Sequence, residues 1–403
     1  MCRRILRPVL SSVCLAAMTD EQHTDERPAV AVWLLVLAVG LGVSAGPLDS
    51  SVNVAFPSIV KAFGVSVESI QWVVVCYVLT YASLLLGCGR LADLIGHRRV
   101  FVAGIVWSIF ALLGCALATD FEWFLAARVA QGLGTALILS TGPALLTLSF
   151  PPAARTRLLA LYALAFSIAN ATGPLAGGLL VDTYGWSSVF WFRVPILVIA
   201  LLGAWLLIPS HPASASGERF DWPGAALMVA VIVMAIVALN QLTRQGVAHA
   251  GPWLAAGVTA ALTLAFIKRQ LAVSEPIIEL RLFRNRLFAT ANLTHVLVNC
   301  ASFSIMLLVP FYLSRALGGD VAGVGIYLAV YPLGAMAASL FARAGLERLG
   351  AVNLSQIGLG MAACGLLMIS FSPASLESIE ASVMVVGALA LHGFGYGLFQ
   401  GAA

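Results

Sequence analysis

The sequence predicts an all-α polytopic membrane protein, and three observations lead to this fold class. Of the 403 residues, 61 % are hydrophobic and only 10 % are charged, whereas a soluble domain has about 25 % charged residues. Apolar runs recur about every 30 residues, and each is close to the ~20 residues that a helix needs to cross a bilayer. The runs are uninterrupted rather than alternating, which indicates helices and not the strands of a barrel.

Twelve membrane spans are predicted from these runs. They cover residues 30–58, 69–89, 99–118, 123–148, 158–181, 187–208, 223–243, 252–267, 288–313, 321–342, 351–372 and 381–403.

The connections between spans divide the chain into six parts. The loop "PSHPASASGERFDWPG" has linker composition, and a later loop is basic and partly amphipathic, so we expect it to lie along the cytoplasmic interface. The predicted parts are a cytoplasmic N-terminal tail (1–29), a six-helix N-terminal bundle (30–208), a cytoplasmic linker (209–222), an inserted helix pair (223–267), a cytoplasmic amphipathic loop (268–287) and a C-terminal bundle of four helices (288–403).

The ends of the chain give two further expectations. Residues 1–17 imitate a signal peptide, but Pro8 and two serines break the apolar part, so we expect translation to start at Met18. Two related halves are typical of secondary transporters. Because the second bundle has four spans against six in the first, we expect the chain to be truncated at its C-terminus.

The positions of Lys and Arg predict the orientation. Seventeen of the 22 basic residues lie in the N-terminal tail or in loops after even-numbered spans, three lie on the other side, and Arg128 and Arg193 lie inside spans. Because basic residues accumulate in cytoplasmic loops, the N-terminus is predicted to be cytoplasmic, in a protein of the plasma (inner) membrane. The formal charge of +4 therefore reflects these loops and does not indicate a nucleic-acid surface.

No cofactor, metal site or enzymatic activity is predicted. The seven cysteines show no CxxC or His-linked metal spacing. An intramembrane enzyme would need clustered His, Glu or Cys, or an activated Ser, whereas His295 and His392 are isolated along the sequence.

Asp49, in "GPLDSSVNVAFPSIV", is the only carboxylate inside any predicted span. A charge at mid-membrane costs about 2.5–3.5 kcal/mol on insertion scales, so such a residue normally faces a wet cavity or a charged partner. Two interpretations remain open at this point. Asp49 binds a coupling proton, or it caps a helix that breaks near Gly46 and Pro47.

Arg128 and Gln131 lie on one face of the fourth span. A buried, permanently charged guanidinium needs acceptors, which the backbone or Asp49 could supply. Arg193 is the third charge inside a span, and Asn53 follows Asp49 by one helical turn. We expect these five residues to form a proton-coupling site and substrate cavity.

Four stretches, in this order, resemble motifs of the major facilitator superfamily, specifically its 14-helix drug:proton antiporter family. They are "LDSSVNVAFPSI", "GRLADLIGHRRV", "RVAQGLGTA" and "GPLAGGLL". The resemblance implies a two-bundle fold with about 12 of an expected 14 helices, alternating access, and proton-coupled export of small amphipathic compounds. It also implies a cytoplasmic gate motif at Gly89, Asp93, Gly96, Arg98 and Arg99, and an antiporter helix motif at Gly173, Pro174, Gly177 and Gly178.

The chain departs from this pattern in several places. Leu94 and His97 stand where basic residues are commoner, and Arg193 stands where the family tends to have Asn. The additional cation could repel cationic drugs or bind an anionic substrate. We expect a monomer whose partners are a small-molecule substrate, protons and the bilayer, without nucleic acid. The alternatives are a proton-coupled importer or facilitator, or a truncated fragment that does not transport.

Overall fold

The computed structural model describes residues 29–148, 150, 152–209, 221–273, 276–372, 375–376 and 378–402. The N-terminal tail up to residue 28, with the predicted start at Met18, lies outside this part of the chain. So does most of the linker 209–222.

The described residues contain thirteen α-helices and three short 3₁₀ helices, at Pro47–Asp49, Val67–Ile70 and Leu280–Arg284. In chain order the α-helices are α1 (Ala29–Val43), α2 (Ser50–Phe63), α3 (Gln71–Ile95), α4 (His97–Ala116), α5 (Phe121–Leu148), α6 (Pro152–Tyr184), α7 (Ser188–Trp191), α8 (Arg193–Leu207), α9 (Trp222–Gln245), α10 (Ala250–Ala272), α11 (Arg286–Ala316), α12 (Val321–Ser370) and α13 (Ile379–Ala402).

Eleven helical segments of the described chain are long and apolar enough to cross a membrane, and a bent pair makes a twelfth. The all-α polytopic prediction is therefore confirmed. Large apolar side chains such as Phe110 and Leu340 are exposed on the outside of the helices. Exposed apolar surface of this extent is what a lipid-facing exterior requires.

The first predicted span is bent rather than continuous. Trp33–Val43 and Pro47–Phe63 meet at 40°. Pro47 lacks a backbone N–H and so removes one helical hydrogen bond, and here a 3₁₀ turn ending at Asp49 joins α1 to α2. The break that was one interpretation of this stretch is therefore present, and it places a carboxylate between two helix segments.

The tenth and eleventh predicted spans belong to one long helical element. In α12, Gly350 interrupts the helical backbone with φ of 75°. Gly96, between α3 and α4, also has a positive φ, of 100°. A side chain at either position would be strained, because positive φ strongly favours glycine. The two glycines occupy corresponding places after the second and tenth spans.

Two apolar clusters form most of the described core. The first lies among α1 to α8 and includes Phe56, Phe101 and Phe124. The second lies among α11 to α13, around Leu313 and Leu389, and α2 contributes Val54 to it. The first span therefore contacts both bundles, and its break lies near the interface between them.

The inserted pair, α9 and α10, pack against each other, and α9 also contacts α3. Asp221 accepts hydrogen bonds from the Gly224 N–H (3.0 Å) and Arg269 Nε (2.8 Å), which join the start of α9 to the end of α10. Burial alone would raise the pKa of Asp221, but these bonds and one from Gln270 hold that pKa below its ordinary value. The connection is therefore an ion pair at neutral pH.

Candidate functional site

The carboxylate of Asp49 lies at the break in the first span. Ser50 and Ser51 donate their hydroxyls to the carbonyls of Pro47 and Leu48, both at 2.8 Å, which stabilises the turn. The Asp49 side chain is 12 % exposed. A nearly dry carboxylate needs charged or hydrogen-bonding partners, and the structure supplies several.

Arg128 of α5 binds Asp49 with both terminal nitrogens. Nη1 lies 2.7 Å from Oδ1 and Nη2 lies 2.8 Å from Oδ2, while Nε donates to the Val73 carbonyl at 2.9 Å. Paired, parallel bonds of this kind are among the stronger polar contacts in proteins. The structure thus brings together the two charges that are most conspicuous in the sequence.

Gln131, one turn after Arg128, connects the same two groups. Its Nε2 donates to Asp49 Oδ1 at 3.0 Å, and its Oε1 accepts from Arg128 Nη1 at 2.6 Å. The side chain is buried. The expected shared face of the fourth span is therefore the face that holds the carboxylate.

Arg193, the first residue of α8, is the second cation at the site. Its Nη1 donates to Asp49 Oδ1 at 2.9 Å and its Nε donates to the Val189 carbonyl at 2.8 Å. The residue is fully buried, and no acceptor in the described part of the chain lies within hydrogen-bond distance of Nη2. Asp49, Arg128, Gln131 and Arg193, which we name the ion cluster, carry a formal charge of +1 when the carboxylate is ionised.

Tyr77 of α3 also belongs to the site, although sequence reasoning missed it. The Arg128 guanidinium carbon lies 4.4 Å from the centre of its ring, a cation–π contact. Its hydroxyl is 3.5 Å from the Gly46 carbonyl, beside the break. Tyr77 lies one turn after Val73, whose carbonyl also binds Arg128, but nothing in the sequence marks either residue.

Asn53 is the one expected cavity residue outside the ion cluster. It is half-buried on α2, one turn beyond Asp49. Among the described residues it makes no hydrogen bond to the ion cluster.

The gate-motif residues lie at the opposite end of α3 from Tyr77. Asp93 lies 4.0 Å from Arg90 Nη1 and 3.3 Å from His97 Nε2.

Arg98 donates to the Trp205 carbonyl at 2.6 Å, and Arg99 is 3.5 Å from the Ile95 carbonyl. The motif therefore connects α3 and α4 to the end of α8.

A cavity of about 470 Å³ adjoins the gate motif. Gly89 and Asp93 line it from α3, Ser140 lines it from α5, and Asp221 and Ile277 line it from the segments before and after the inserted pair. These flanking segments therefore line one side of a space at the motif.

The antiporter-motif glycines of α6 allow two close contacts. A Cβ at Gly173 would overlap Ser50 Oγ, next to Asp49, and a Cβ at Gly177 would lie 2.8 Å from the Ser51 carbonyl oxygen. A Cβ at Gly178 would lie 2.9 Å from the Cα of Gly325 on α12. Pro174 follows Gly173 inside the helix. The face therefore packs against both the break and the other bundle.

Chemically, the ion cluster is a buried carboxylate that binds two guanidinium groups from different helices. Asp49 binds groups from α5 and α8 at once, so its protonation would remove the charge that both cations share. No group of side chains in the described chain provides a set of metal ligands.

Comparison with known proteins finds a matching family model and several similar transporters. The family model "Major Facilitator Superfamily" matches residues 32–403. The chain is 31 % identical over 380 residues to "Uncharacterized transporter YebQ" of Escherichia coli, covering 94 % of this chain and 82 % of that protein. It is 32 % identical over 372 residues to "Multidrug resistance protein Stp" of Mycobacterium tuberculosis, covering 91 % and 67 %.

A solved structure shows the same fold. The inward-facing, unoccupied bacterial homologue of the human lysosomal transporter Spinster superposes with a TM-score of 0.64 at 18 % identity, covering 94 % of this chain and 76 % of that one.

Proposed function

This chain belongs to the Major Facilitator Superfamily, and we propose that it exports small amphipathic compounds from the cell in exchange for protons. The similarity to a multidrug resistance protein supports export of such compounds. The buried carboxylate supports proton coupling, because an intramembrane ionisable group is a candidate functional site by default. The loop charges support a cytoplasmic N-terminus in the plasma membrane.

The observation that carries the proposal is the fourfold use of the Asp49 carboxylate. It accepts two bonds from Arg128 and one each from Gln131 and Arg193. Protonation would weaken all four bonds at once, since each is strengthened by the negative charge. A single proton would thus loosen contacts between the break, α5 and α8.

We propose that this loosening is transmitted through the glycine face of α6. Gly173 contacts the break and Gly178 contacts α12, so one helix joins the proton site to the other bundle. In alternating access, the bundles 30–208 and 288–403 would rock about this contact, with the inserted pair 223–267 beside them.

Everted membrane vesicles test the proposal. Respiration acidifies their interior, so an exporter of this kind takes up compound as protons leave. We expect vesicles with the protein to accumulate radiolabelled chloramphenicol several-fold over vesicles without it, and to release it when nigericin collapses the pH gradient. Accumulation that is independent of the pH gradient would contradict proton coupling. Accumulation only in right-side-out vesicles would indicate an importer.

A further inference from the structure

In the ion cluster, the Asp49 carboxylate already accepts four hydrogen bonds, whereas one Arg193 nitrogen has no acceptor. Asp49 Oδ1 accepts from Arg128, Gln131 and Arg193, and Oδ2 accepts from Arg128. A carboxylate offers about four lone-pair sites, so little capacity remains for a substrate ammonium group. Cation recognition by Asp49 in this arrangement would require one of the arginines to leave.

The retained donor is Arg193 Nη2. The Arg193 side chain is 1 % exposed, its guanidinium carbon lies 5.2 Å from the centre of the Phe190 ring, and Nη2 has no hydrogen-bond partner among the described residues. A buried donor without an acceptor costs free energy, so the site favours any ligand that brings one. The formal charge of +1 acts in the same direction, because it repels cations and attracts anions or acceptor dipoles.

We propose that Arg193 determines substrate specificity, so that the site accepts uncharged or anionic compounds that carry a hydrogen-bond acceptor and rejects permanent cations. This inference rests on the proposed transport function and names the substrate class of the same site. Nη2 is closed to solvent in this conformation, whereas Asp49 is 12 % exposed. Asp49 is therefore the most exposed member of the ion cluster, and the proposal places the ligand on that side of Arg193.

A charge-matched series of ligands tests the proposal by binding alone. We would use 2-naphthamide, 2-naphthoate and 2-naphthylmethylammonium, which share a ring system and have charges of 0, −1 and +1. Isothermal titration of the purified full chain in detergent should give saturable binding of the amide and the naphthoate. The ammonium compound should bind at least tenfold more weakly than the amide.

Substitutions at position 193 test the cause. Arg193→Gln leaves one cation against one carboxylate, so the discrimination against the ammonium compound should fall about tenfold. Arg193→Lys keeps the charge and should retain the discrimination, which also controls for misfolding. Arg315→Gln removes an exposed cation at the end of α11 and should change nothing.

Three results would overturn the proposal. They are equal binding of the amide and the ammonium compound by the unsubstituted chain, absence of binding by both the amide and the naphthoate, and discrimination that is unchanged in Arg193→Gln. Because no proton gradient is present, these outcomes are separate from the vesicle experiment. A chain that fails to couple to protons could still discriminate by charge.

Discussion

Asp49 pairs with two positively charged side chains and can neutralise only one of them. Two guanidinium groups and one amide surround a single carboxylate. Buried charge is costly unless it is paired, and removal of one partner costs more than the pair contributes. The stability of the N-terminal bundle should therefore depend on the balance of charge in the cluster rather than on any one bond.

Asp49→Asn should lower the free energy of unfolding by about 3–5 kcal/mol, because it leaves two buried guanidinium groups without a carboxylate. Asp49→Asn/Arg193→Asn leaves only one such group, so it should be more stable than the sum of the single substitutions predicts, by about 1 kcal/mol or more. Thermal unfolding of the purified variants measures this. If the effect of the double substitution equals the sum of the two single effects, Asp49 and Arg193 do not interact.

At the scale of residues, the sequence predicted which residues form the site better than it predicted which of them are in contact. Asp49, Arg128 and Arg193 are found because charges inside apolar spans are rare. Tyr77 is not found, since a tyrosine in such a span is ordinary until its position over Arg128 is known. The bond between Arg193 and Asp49 joins residues 144 positions apart. A local sequence pattern cannot predict a contact between residues so far apart in the chain.

Among the elements, α6 has the most demanding packing. Gly173 and Gly177 lie against the break that carries Asp49, and Gly178 lies against Gly325 of α12. Small residues allow membrane helices to approach closely, so this face sets the distance between the two bundles.

Gly178→Ala should lower the free energy of unfolding by about 1–3 kcal/mol and reduce transport, because the added Cβ forces α6 and α12 apart. Gly257→Ala on α10 is the matched control, since no atom lies within 4 Å of a Cβ at that position. The control should be neutral or slightly stabilising, because alanine favours helix. Thermal unfolding and vesicle uptake measure both variants. Equal behaviour of the two would refute a packing role for Gly178.

Arg269→Gln should destabilise the inserted pair by about 1–3 kcal/mol at pH 7, because it removes one donor from the buried Asp221 carboxylate. The pKa of Asp221 is lowered on folding, so its contribution is present above the unfolded value of about 3.9 and is lost as pH falls through the lower folded pKa. Between pH 5 and 8 the difference should stay constant.

The comparison is thermal unfolding across that pH range. Arg281→Gln, in an exposed 3₁₀ turn, serves as the control. A stability difference between Arg269→Gln and the unsubstituted chain that disappears at pH 8 would contradict the ion pair.

The sequence predicted the helices closely but not their interruptions. Hydropathy alone treats 30–58 as one span, whereas Pro47 divides it and creates the turn at Asp49. Hydropathy likewise separates 321–342 from 351–372, whereas α12 continues between them as far as Gly350. Single residues, Pro47 and Gly350, decide where the helices break, and a hydropathy average over a window of residues does not detect them.

At the scale of the whole molecule, α2 and α6 connect the two apolar clusters that form most of the described core. The number of spans could be predicted, because lipid imposes a minimum length of apolar helix. The way in which the bundles meet could not, because it depends on which small residues face each other across the interface. That arrangement is what would convert one protonation into a movement.

The most direct test of proton coupling is uptake into everted vesicles by Asp49→Asn, with a cooperative thermal unfolding transition of the same purified variant as evidence of a folded protein. The account predicts that Asp49→Asn unfolds cooperatively but accumulates chloramphenicol no better with a pH gradient than without one. Gradient-driven accumulation equal to that of the unsubstituted chain would show that the coupling proton binds elsewhere.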